Sequence, residues 1–122
     1  MLLRQLIAEF YHCSDRIGDT KALADAAEAA AKRVGATIVG QSAIAYEPHG
    51  ATVSVFLAES HIVLTTWPEY DLLLLDVLLC NAQMSTDDVL DEIRTRLCPN
   101  GEPVTHTIER WIAAKPPQAA HG

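Results

Sequence analysis

Residues 51–79 read ATVSVFLAESHIVLTTWPEYDLLLLDVLL. Three β-rich runs lie in this stretch, at 52–58, 61–66 and 70–79. The first two are dense in Val, Ile, Leu, Thr and Phe, which suit a pleated, half-buried surface. The third is almost continuously apolar, interrupted by Asp76, as a strand in the middle of a sheet would be. Outward from this stretch, 37–46 is a further β-rich run, joined to 52–58 through the turn signal Pro48-His49-Gly50. Leu3, Leu6, Ile7, Ala8 and Phe10 mark a strand at 2–11. Asp19 or Thr20 can cap a helix running through Val34 and closed by Gly35, with Leu23, Ala26, Ala27, Ala30 and Val34 on one face. Ser85 or Thr86 can cap a second helix through Leu97, with the stripe Val89, Leu90, Ile93 and Leu97. Pro99-Asn100-Gly101 breaks it, and 104–112 returns as an edge strand. Residues 113–122 read as a disordered tail, which leaves 1–112 as a single domain. Strands and helices segregated in this way predict an α+β two-layer sandwich, a mostly antiparallel sheet with two helices on one face. The second face of the sheet then lacks cover, and a homodimer packing sheet on sheet would supply it.

Composition narrows the function classes. A chain of 122 residues, 49% apolar and 20% charged, is a folded globular protein with room for one core. Its net charge of -7 opposes binding to nucleic acid or to an anionic membrane, and is compatible with a cationic substrate. No apolar run approaches the roughly 20 residues that span a bilayer. The first ten residues lack the pattern of a secretory signal, so a cytoplasmic protein is expected. Cys13, Cys80 and Cys98 are odd in number and widely spaced, which argues against a disulfide framework and against a zinc knuckle. Cys13 and Cys98 therefore read as ordinary core cysteines, and no metal is expected.

The polar triplet Glu59-Ser60-His61 sits where two apolar strands need only turn. Taken alone it is ordinary turn chemistry, and a Ser-His dipeptide is weak evidence for a nucleophile. It is followed, however, by Trp67-Pro68-Glu69-Tyr70 and then by Cys80, and preceded by Ala8-Glu9-Phe10-Tyr11 with Cys13 and by Gly35-Ala36-Thr37-Ile38-Val39. With these spacings the segment resembles the bacterial and archaeal S-adenosylmethionine decarboxylase proenzymes, a pyruvoyl-dependent family, over about residues 3 to 80. The resemblance implies self-cleavage between Glu59 and Ser60. Ser60 Oγ would attack the Glu59 carbonyl through an oxyanion that nearby donors must stabilise. Removal of the Ser60 α-proton, β-elimination and hydrolysis would leave a chain of residues 1–59 and a pyruvoyl-blocked chain of 60–122. That group, formed from Ser60, would take the substrate amine as a Schiff base and serve as electron sink in place of pyridoxal phosphate. Cys80 matches the family's proton donor, a role that suits a thiol whose unperturbed pKa lies near 8.5. Trp67 and Tyr46 match aromatics near adenine, and Glu69 matches the acid that receives the ribose hydroxyls. The implied product enters polyamine, specifically spermidine, biosynthesis.

The chain departs from the family at one important position. The family histidine five residues after the processing serine, credited with taking the α-proton, is Thr65 here. A threonine hydroxyl is no base near neutral pH. A family serine that helps to hold the oxyanion is Thr52, a milder change that keeps a hydroxyl. His61, His49 and His12 are the other imidazoles in reach of the role, although strand alternation turns His61 to the face opposite Ser60. Three outcomes follow: an S-adenosylmethionine decarboxylase using another base, a related pyruvoyl-dependent arginine or ornithine decarboxylase, or an unprocessed binding or regulatory subunit.

Overall fold

A computed structural model describes residues 1–113 of the chain. Six strands form one antiparallel sheet: β1 (Leu2–Phe10), β2 (Ile38–Ala45), β3 (Ala51–Leu57), β4 (Ser60–Trp67), β5 (Leu72–Leu79) and β6 (Pro103–Trp111). Their order across the sheet is β2-β3-β4-β5-β1-β6. The apolar run is thus a central strand and the last run an edge strand, as expected. Helices α1 (Thr20–Arg33) and α2 (Thr86–Leu97) cover one face, which is the predicted two-layer arrangement. The tail expected over 113–122 falls, from residue 114 on, outside the described residues.

Alternation decides which side chains enter the core. Val53, Val55 and Leu57 of β3, Ile62 and Leu64 of β4, and Leu73, Leu75, Val77 and Leu79 of β5 all point to the helical face and are buried. Leu6, Ala8 and Phe10 of β1 join them. At about 1.5–3 kcal/mol for each large side chain removed from water, this layer drives the fold. Across it, α1 presents Leu23, Ala26, Ala27, Ala30 and Ala31, small residues that let the helix lie close, and α2 presents Val89, Ile93 and Leu97. The Asp19 side chain accepts from the Lys21 N–H at the start of α1, and Ser85 accepts from Asp88 N–H at the start of α2. Gly35, at φ 77°, ends α1 in the left-handed conformation that glycine adopts without a Cβ penalty. The turn before β3 needs its glycine more strictly. A Cβ on Gly50 would lie 2.6 Å from the Thr66 carbonyl oxygen.

Among the described residues, no layer covers the opposite face. Ile7, Ile44, Phe56 and Ile108 stand on it with exposures of 38 to 54%.

Spacing misread two cysteines. Cys13 and Cys98 form a disulfide, leaving Cys80 as the free cysteine among the described residues. The pair is 85 residues apart in sequence and meets because the loop leaving β1 docks on the C-terminal end of α2. Ser14 N–H and Oγ–H both donate to the Leu97 carbonyl, at 3.1 and 2.8 Å. Such tertiary adjacency has no signature in cysteine spacing.

Candidate active site

β3 and β4 are joined by a two-residue connection, Ala58-Glu59, with Leu57 opposite Ser60. Glu59 takes φ 64°, a left-handed value that costs a residue with a Cβ about 1–2 kcal/mol. The peptide bond expected to break is therefore the one that leaves a strained residue. Ser60 Oγ–H donates to the Ala58 carbonyl at 3.3 Å, and Cys80 Sγ approaches the same carbonyl at 3.7 Å. Glu59, Ser60 and Cys80 line one cleft of about 240 Å³ at this end of the sheet, together with Thr37, Asn81 and Met84. Three of the sequence candidates are thus brought together by the hairpin and the end of β5.

The others lie elsewhere. Tyr46, Thr52, Thr65 and Trp67 stand on the uncovered face toward the far end of β4, and Glu69 follows in the exposed turn Pro68–Tyr70. The Tyr46 hydroxyl donates to Thr52 Oγ1 at 2.8 Å, and the Thr52 and Thr65 hydroxyls are 3.2 Å apart. These three side chains form one polar string across β2, β3 and β4. At about 3.3 Å per strand residue, Thr65 is about 16 Å from Ser60 and Trp67 about 23 Å. Neither reaches Ser60 within a single chain.

His61 is on the uncovered face, as alternation required. Its Nε2 lies 3.4 Å from Asp76 Oδ1, and Gln5 Nε2–H donates to the same oxygen at 3.1 Å. Asp76 is a further candidate that motif spacing did not single out, and its signal was present: a lone carboxylate inside an apolar strand. A depression of about 310 Å³ occupies the middle of this face, lined by Ile7, Glu9, Val63, Thr65, Leu74 and Asp76. Glu9 Oε2 is buried there without a hydrogen-bond partner among the described residues, with His106 Nε2 3.8 Å away. His12 and His49 are exposed in turns, apart from this cluster.

The family model described as S-adenosylmethionine decarboxylase matches residues 4–110. The chain belongs to the S-adenosylmethionine decarboxylase family. An S-adenosylmethionine decarboxylase proenzyme of Acidithiobacillus ferrooxidans is 36% identical over 91 residues, covering 74% of this chain and 68% of the relative. One from a Synechococcus is 30% identical over 121 residues, covering 98% and 91%. The crystal structure of the adenosylmethionine decarboxylase from Aquifex aeolicus superimposes with a TM-score of 0.83 at 29% identity, covering 99% of this chain and 98% of that one. The decarboxylase fold thus extends along the described chain, including β6, where the sequence resemblance had thinned. The arginine or ornithine reading and the binding-subunit reading draw no support from these relatives.

Proposed function

We propose that this chain is a proenzyme that cuts itself between Glu59 and Ser60, converts Ser60 to a pyruvoyl group and decarboxylates S-adenosylmethionine for polyamine synthesis. The observation that carries the reading is the convergence of Ser60 and Cys80 on the strained Ala58-Glu59 hairpin. The hairpin holds the Ser60 hydroxyl beside the backbone it must attack. Breaking the bond after Glu59 relieves a left-handed residue. The pyruvoyl group supplies a ketone for the substrate amine and a carbonyl to accept the electrons left by carbon dioxide. Cys80, lining the same cleft, is positioned to return a proton to the α-carbon. The unpartnered Glu9 carboxylate oxygen suits a cationic sulfonium, and Trp67 offers a ring face to adenine.

The distances along β4 support a homodimer. Packing the uncovered faces about a two-fold axis would lay the Tyr46-Thr52-Thr65 string and Trp67 of one protomer over the Ser60 end of its partner, and would cover Ile7, Ile44 and Phe56. Measured release of carbon dioxide from carboxyl-labelled S-adenosylmethionine tests the activity. A cleaved protein that releases none would sink it.

The α-proton needs a base other than Thr65, and the geometry favours His61. If Nε2–H donates to Asp76, the lone pair is left on Nδ1, the ring nitrogen nearer the backbone. Ser60 Oγ points to the helical side of the sheet, its Cα–H bond lies near the sheet plane, and His61 stands next to it on the uncovered side. His61→Ala is expected to slow cleavage about 10²-fold and Asp76→Asn less, with imidazole restoring part of the rate of His61→Ala. Fragment appearance followed on a denaturing gel measures both. Cleavage at the parental rate in His61→Ala removes the residue from the role.

A further inference from the structure

The disulfide has a consequence for the mature protein. Cys13 belongs to residues 1–59 and Cys98 to residues 60–122, so the bond spans the cleavage point. We propose that Cys13–Cys98 is a covalent tether between the two chains that self-cleavage produces; this rests on the self-cleavage reading above.

The two cysteines are held in register by contacts that do not need the sulfur bond. Besides the paired Ser14–Leu97 hydrogen bonds, Arg16 Nη1–H donates to the Arg96 carbonyl at 3.4 Å. Gly101 N–H donates to the Cys98 carbonyl at 2.9 Å, and a Cβ at Gly101 would stand 2.6 Å from the Tyr11 carbonyl oxygen. The turn after α2 is thus pressed against the exit of β1. Cys98 is buried and Cys13 half-buried, which restricts access to the bond once it forms. The Ser14–Leu97 and Arg16–Arg96 hydrogen bonds and the approach of Gly101 to Tyr11 join the first chain to the second, and the Gly101–Cys98 bond holds the second chain's turn in place.

The tether is kept away from the chemistry. Cys13 N–H donates to the carbonyl of Asp71, just before β5, whereas Cys80 directly follows β5. The eight residues of β5, nine steps from Asp71 to Cys80, separate these ends by about 30 Å. Neither Cys13 nor Cys98 can pair with Cys80 in the folded chain, so oxidation at one end leaves the proton donor free. Closing the bond takes two electrons and two protons from the Cys13 and Cys98 thiols. A low-molecular-weight disulfide accepts them and leaves as two thiols.

The test uses the purified full chain incubated with oxidised glutathione, then denatured with iodoacetamide to block free thiols. It is analysed by electrophoresis and intact mass with and without dithiothreitol. The expected result is one species without reductant, carrying a single blocked thiol, that resolves into residues 1–59 and 60–122 with reductant. Cys13→Ser should give the two fragments without reductant while retaining the decarboxylation rate of reduced parent protein. Two separate fragments from the unreduced parent would overturn the tether and leave self-cleavage standing. A single species under both conditions would overturn self-cleavage, and the tether with it.

Discussion

Ser60→Ala is expected to remain a single uncut chain and to release carbon dioxide only at background. The Oγ that donates to the Ala58 carbonyl is the proposed nucleophile, and alanine removes it while leaving the strand pairing of Leu57 with residue 60 intact. Without that oxygen no ester forms and no ketone appears. The substrate then has no electron sink, and the loss spans the range by which enzymes exceed the uncatalysed reaction, at least about 10⁶-fold. The side chain is only half-buried, so the variant should fold. A denaturing gel and carbon dioxide release read the two effects separately. An uncut Ser60→Ala protein with activity would end the pyruvoyl mechanism for this chain.

Cys80→Ala should separate the two stages. The proposed cleavage uses the Ser60 oxygen and His61 rather than the thiol, so both fragments should appear at the parental rate. Decarboxylation should fall about 10²–10⁴-fold, the usual worth of a positioned acid or base. Cys80 is a half-exposed residue just beyond β5, and its Sγ makes one long contact with the Ala58 carbonyl, so truncation should disturb packing little. Parental turnover in this variant would exclude the thiol as proton donor.

Much of the fold was legible because single residues carry unambiguous patterns. The apolar run at 70–79 is consistent with the central strand that it forms, and of the paired cap candidates Asp19 and Ser85 are the ones that cap the helices. The Glu59-Ser60-His61 triplet and Cys80 were legible through family resemblance, and the structure joins Glu59, Ser60 and Cys80 in one cleft. Three-dimensional adjacency was what the sequence withheld. Asp76 meets His61 only through the pairing of β4 with β5, and Cys13 meets Cys98 only through the docking of the β1 exit on α2. Motif spacing likewise hid that Ser60 and Trp67 stand at opposite ends of one extended strand.

The position of β1 between β5 and β6 bears on the proposed scission. Cut at residue 60, the downstream piece grips the upstream piece like two fingers on either side of a card: withdrawing β1 would unzip two ladders at once and empty the core of Leu6, Ala8 and Phe10. Maturation by the proposed cut would therefore nick an assembled object without dividing it. On that proposal the uncut polypeptide would interleave its halves first, and shape would precede the reagent that it creates.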